Sequence, residues 1–182
     1  MTFSNPAGTA AAVASTYVRA LLDLLGPRNP LTVMRELLPW LGDRLRSTPE
    51  ATLRRAEAPG KWSVIEVIQH LADSDLVAGY RIRMVLSEDR PQLQGYDQDR
   101  WAREFRYRDA SLDQALGQLR GLRPANLYLW SGLSPSQLER VGLHSERGAE
   151  SAGFLLQLMA AHDLVHRRQI DRILAAVQPN SA

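Results

Sequence analysis

The stretch SAGFLLQLMAAHDLVHRRQIDRILAAV, Ser151 to Val177, decides the fold. Leu155, Leu158, Met159, His162, His166, Gln169, Ile170 and Ile173 recur at intervals of three and four, the period of one helix face. A long helix is therefore expected from about Ser151 to Val177, ahead of Pro179. His162 and His166 fall in the middle of the apolar stripe and should point into a core. Two imidazoles on successive turns of one face can hold a single metal ion. The competing reading is two buried histidines satisfied by hydrogen bonds, which a leucine-rich surrounding is poorly equipped to offer.

Outward from this helix, the best helix start in the chain is Ser63-Val64-Ile65-Glu66, an S-x-x-E capping box with Trp62 before it. That helix should run to about Ser87 and stop before Arg90-Pro91. It carries His70, with Glu66 one turn earlier and Asp73 and Ser74 one turn later. Other helices are expected at about Thr9 to Leu25, ended by Gly26-Pro27, and at Leu31 to Arg46, where Pro39 should kink the helix or delay its start. A polar, aromatic-dotted segment from Gln92 to Asp109 has room for a short helix at Gln98 to Phe105. Ser111 opens a helix reaching about Trp130, Ser134-Pro135 a further turn, and Val141 to Glu150 reads as a glycine-rich loop. Alternating β-branched runs are nearly absent. The pattern is all-α, an up-down four-helix bundle over residues 30–178, preceded by an additional N-terminal helix and connector over residues 1–29.

Composition narrows the function. The absence of cysteine excludes disulfides, thiolate metal ligands and cysteine nucleophiles, so a metal must be held by nitrogen and oxygen. With 22 basic against 20 acidic residues, bulk charge does not suggest a nucleic-acid partner. No stretch approaches the about 20 uncharged apolar residues of a membrane helix, and the alanine run Ala10 to Ala14 lacks a basic lead-in, so a cytoplasmic location is expected. In an antiparallel bundle His70 could add a third nitrogen to those of His162 and His166. Three protein nitrogens leave coordination positions open, as in catalytic sites. His144 reads as a loop residue. Asp163, in the place of the glutamate of H-E-x-x-H, reads as a surface residue or a support to the ligands rather than a general base. Arg100, Arg103, Arg106 and Arg108 lie among Trp101, Phe105 and Tyr107, either as a solvated loop or as an anion-binding rim.

Trp62-Ser63-x-x-Glu66-x-x-x-His70-Leu71-x-Asp73, then Arg90-Pro91 and Tyr96-Asp97, then His162-Asp163-x-x-His166-x-x-Gln169-Ile170 together resemble the DinB/YfiT-like superfamily. The resemblance spans about residues 30 to 175. It implies a four-helix bundle with metal ligands His70, His162 and His166, and one divalent ion, zinc or nickel. It also implies a frequent homodimer, a small-molecule substrate, and either hydrolysis or transfer of a low-molecular-weight thiol, as in thiol-dependent S-transferases and a mycothiol-dependent isomerase. His144-x-x-x-Gly148 resembles a loop histidine of one subgroup, near the mouth of the site. Asp73 is the candidate to orient His70 or accept a proton, and Glu66 to support the site, although the capping box already uses it. The alternative function is a non-catalytic metal-binding stress-response protein, whose ion only stabilises the bundle.

Overall fold

The computed structural model describes residues 11–177. Helix α1 spans Ala11–Leu25, so the expected start at Thr9 lies outside the described residues. Gly26, at φ +56°, takes the left-handed conformation that ends this helix. Helix α2, Pro30–Leu45, begins where Asn29 Oδ1 accepts from Thr32 N–H at 3.1 Å, with Pro30 in the first turn where no N–H is required. Pro39 does not delay its start: it sits on an exposed position inside α2. A single turn, α3 (Glu50–Leu53), leads to α4, Val64–Ser87. The capping box forms as read: Ser63 Oγ accepts from Glu66 N–H, and Glu66 Oε2 accepts from Ser63 N–H at 2.7 Å.

Between α4 and the next long helix lie β1 (Gln92–Leu93), α5 (Gln98–Glu104) and a 3-10 turn at Tyr107–Asp109. Then follow α6 (Leu112–Ser131), one turn α7 (Pro135–Leu138), strands β2 (Val141–His144) and β3 (Gly148–Ser151), and α8 (Ala152–Val177). The segment read as a glycine-rich loop is thus an antiparallel hairpin, with β1 added in parallel to β2. Gly142 explains why alternation is missing there. A Cβ at this position would lie 2.6 Å from Leu93 Cδ1 and 2.9 Å from Val85 Cγ2, so only glycine lets the sheet seat on α4.

Long-range pairs fix the direction of each helix. Asp73 meets Gln118 and Asp75 meets Arg123, so α4 and α6 run parallel. Glu36 meets Arg167 and Arg44 meets Asp171, so α2 and α8 run parallel. Ile65 and Ile68 pack with Ile173 and Val177, and Ile82 and Val85 with Leu155 and Leu156, which sets the first pair antiparallel to the second. The order is up, down, down, up. The long connection from 88 to 111 carries the chain back to the end where α4 began, which a short turn cannot do. Helix α1 packs against α8.

Two apolar clusters fill the bundle. One, at the start of α4 and α6 and the end of α8, contains Leu41, Ile68, Leu71, Leu119 and Ile173. The other, at the opposite end, contains Leu21, Met34, Ile82, Trp130, Leu155 and Ala161. Between them lies a layer of buried polar groups. Arg123, fully buried, donates to Asp75 (Nη2–Oδ2 2.7 Å) and to Asp163 (Nη2–Oδ1 2.9 Å) and reaches the Met34 carbonyl at 3.2 Å. Asn126 donates to the Asp75 carbonyl oxygen at 2.8 Å. Asp163 is therefore not a surface residue: it is wholly buried, and its carboxylate is engaged by a guanidinium. Among the described residues no helix is long and apolar enough to cross a membrane.

Candidate metal centre

His70 on α4 and His162 and His166 on α8 meet at the boundary between the two clusters. His162 Nε2 lies 3.0 Å from His70 Nε2 and 3.0 Å from His166 Nε2. His70 and His166 are buried, and His162 is half-buried. Burial holds all three imidazoles neutral at pH 7: His70 and His162 are pushed well below the ordinary value, and His166 down to about 4. His166 Nδ1 lies 2.7 Å from Gln169 Oε1. An amide oxygen only accepts, so Nδ1 carries the proton and Nε2 presents its lone pair.

Protons alone do not satisfy this arrangement. His162 Nε2 holds either one hydrogen or one lone pair, and no assignment gives both of its 3.0 Å contacts a linear hydrogen bond. Nδ1 of His70 and of His162 are also buried with no partner among the described residues. A cation equidistant from the three Nε2 atoms removes the conflict. Bonds of about 2.0–2.1 Å to zinc place tetrahedral nitrogens roughly 3.3 Å apart, close to the observed separation. The three side chains are the one group of histidines and acids among the described residues disposed to share an ion. The donor set fits a divalent metal.

The other expected site residues are placed more variously. Asp73 does not bond to His70. Its Oδ2 accepts from Tyr107 OH at 2.5 Å, and its Oδ1 accepts from Gln118 Nε2 at 2.8 Å and Gln69 Nε2 at 3.3 Å. Burial, and then the bond to Asp73, hold the Tyr107 phenol well above its ordinary range, so it remains a donor. Ser74 Oγ lies 3.4 Å from His70 Nε2 and 3.1 Å from Tyr96 OH. Glu66 stays in its capping box. His144 is a buried strand residue whose Nδ1 accepts from Glu146 N–H at 3.2 Å, and burial lowers it to about 3. Arg100, Arg103, Arg106 and Arg108 are all exposed, with Arg106 paired to Asp109 at 2.6 Å and Arg103 to Glu104 at 3.5 Å.

A cavity of about 130 Å³ opens onto His162, with Ser74, Tyr96, Leu158 and Met159 in its wall. Tyr107 and Gln118 reach Asp73 from other elements, so no local pattern in the sequence marks them as its supports. Arg123 did leave a signal: with Leu116, Leu119, Asn126 and Trp130 it occupies the apolar face of α6.

The model of the DinB superfamily matches residues 31–170. The chain belongs to the DinB superfamily. Among similar DinB-type chains is a protein of Oceanobacillus iheyensis named "Putative metal-dependent hydrolase", 32% identical over 111 residues, covering 61% of this chain. The matched part is 64% of that relative's length. A relative of the same name from Geobacillus thermodenitrificans is 27% identical over 172 residues, covering 93% of this chain and 88% of its own. In structure, the chain is similar to YfiT from Bacillus subtilis, described as a probable metal-dependent hydrolase with an unusual four-helix bundle topology. The TM-score is 0.73 at 20% identity, over 94% of this chain and 91% of YfiT. That likeness establishes the four-helix-bundle fold.

Proposed function

We propose that the chain is a divalent-metal-dependent enzyme that acts on a small molecule, with His70, His162 and His166 as the metal ligands. The observation that carries this reading is the convergence of three neutral Nε2 atoms, which no set of hydrogen bonds accounts for, with His162 lining a cavity. An ion held there would supply Lewis acidity, making a nucleophile of water or of a thiol near neutral pH. Zinc or nickel suits three imidazoles.

The chain's own groups do the rest. Gln169 fixes the ring of His166, so its Nε2 faces the centre. Ser74 and Tyr96 place two hydroxyls between His70 and the cavity, and the Tyr96 phenol is held protonated chiefly by burial. They are able to donate to a substrate oxygen. Asp73, fixed by Tyr107 and Gln118, holds a carboxylate one helical turn from His70 and serves as the nearby acid–base group. The names of the relatives favour hydrolysis, and the family resemblance favours thiol transfer. The half-exposed His162, opening on a cavity, favours either over an ion that only stabilises the bundle.

Metal content by mass spectrometry, on protein purified without a histidine tag, tests the reading. Wild type should carry near one equivalent and His166→Ala none, and ester-hydrolysis and thiol-transfer screens should then lose turnover in that variant. No metal in wild type after dialysis against zinc and nickel would overturn it. Full metal occupancy with no turnover in either screen would leave the stabilising role instead.

A further inference from the structure

The face of α4 that begins at His70 continues through Ser74, Val77 and Arg81, at intervals of four, three and four residues. His70 and Arg81 are thereby about 16 Å apart along the helix axis. Because α8 runs the other way, its matching wall recedes from His162 through Met159 and Leu158 to Leu155. The cavity lies between these two faces. One end is His162, the middle is apolar, and the far end holds Arg81 and Arg147.

The two guanidiniums are not equivalent. Arg147 is neutralised by the buried Glu150, with Nε–Oε1 2.5 Å and Nη2–Oε2 2.9 Å. Arg81 instead donates to the Gln94 carbonyl oxygen, a neutral partner, and forms no ion pair among the described residues. Burial, and then the charge of Arg147, weaken its hold on the proton relative to a free arginine. The charges of Glu150 and Glu146 act on Arg81 from a distance, but neither carboxylate forms an ion pair with it, and a guanidinium facing a partly apolar cavity without a bonded carboxylate can receive an anion. Glu146, exposed, is the remaining carboxylate on the cavity wall.

We propose that this cavity selects a small organic acid, with its carboxylate on Arg81, its apolar body against Val77, Leu158 and Met159, and its other end at His162. A single unpaired cation suits a monoanion better than a doubly charged phosphate. The assignment of the reactive end rests on the metal-dependent reading above; the anion end does not. Arg100, Arg103, Arg106 and Arg108 are exposed and do not line this cavity, whereas Arg81 does, from a helix with no run of basic residues to mark it.

Isothermal titration of 4-phenylbutyrate and of the neutral 4-phenylbutanamide tests the proposal, using chelator-treated full-length protein so that no metal competes for the carboxylate. Wild type should prefer the acid over the amide by about tenfold or more, as expected for a charge-assisted pair. Arg81→Gln should abolish that preference while leaving the amide unchanged, and Arg81→Lys should restore part of it. Glu146→Gln should tighten acid binding by roughly two- to fivefold, a gain that misfolding cannot produce. Equal affinity for acid and amide, an unchanged preference in Arg81→Gln, or no saturable binding of the acid would overturn the proposal. Metal content of the untreated protein is read separately. Arg81-dependent binding without metal would fail only the enzyme reading; metal without such binding would fail only this one.

Discussion

The two ends of the bundle use the same helices differently. At the end where α4 and α6 begin, Leu41, Ile68, Leu71 and Leu119 are fully buried and close the space between α4 and α8. The groove at this end, lined by Leu38, Leu45 and Leu116, lies between α2 and α6, away from the histidines. At the other end α1 and the hairpin are added, and although Met34, Ile82 and Ala161 are as deeply buried, a cavity remains between α4 and α8. The histidines sit where one regime gives way to the other. A closed half can hold ligand rings in register, because close-packed side chains have few alternative arrangements. The open half leaves one ring, His162, in reach of a visitor.

The severest break should come from the layer between the halves. Arg123→Ala would leave Asp75 and Asp163 as buried carboxylates without their cation, and should lower unfolding stability by about 3–5 kcal/mol. Guanidinium unfolding measures it, and a loss under about 1 kcal/mol would mean that the layer does not join the halves. Next, Leu119→Ala in the closed half should cost about 2–5 kcal/mol. Leu158→Ala in the cavity wall should cost less than about 1 kcal/mol, because the removed atoms border open space. Similar losses for both would erase the distinction between packed and open ends.

A finer effect is expected at Asp73. Tyr107→Phe removes one donor but leaves Gln118 and Gln69, so stability should fall by about 1 kcal/mol. Chemical denaturation beside wild type resolves that difference; no change would mean that water takes the phenol's place.

The effect at the hairpin is absent at neutral pH and appears only in acid. His144 is held neutral, with a folded pKa of about 3. The unfolded chain takes up a proton near pH 6.5, and the folded one does not, so stability falls as pH drops from about 6.5 towards 3. At pH 5.5 the cost should be about 1 kcal/mol, and His144→Gln should flatten that part of the pH–stability curve. Parallel curves for the two proteins would place the acid sensitivity elsewhere.

What was legible in the sequence follows from how local each cause is. Ser63 and Glu66 cap α4 through bonds three residues apart, and His162 and His166 share a face through helical period alone, so both could be read directly. The hairpin could not. Val141 to His144 become a strand through pairing with Gln92, Leu93 and the segment from Gly148, and through the absence of a side chain at Gly142. Of the two places the sequence offers Asp163, surface or support to the ligands, the first is excluded by burial against Arg123, which lies 40 residues away on another helix and so leaves no local sign. Reading Arg123 as a polar residue in an apolar stripe would have called for a buried acid to match it.

The direction of the helices carries a last consequence. Because α4 and α6 run parallel, the chain must travel the length of the bundle between them, and that passage brings Tyr96 and Tyr107 beside the histidine-bearing helix. Arg147 likewise arrives on the turn between two strands. The three histidines belong to the helical frame, whereas part of the cavity wall belongs to connecting segments. Such segments tolerate insertion and exchange far better than helices do. The architecture therefore works as a fixed socket with interchangeable fittings: residues on the connectors can be exchanged with the three histidines left where they are.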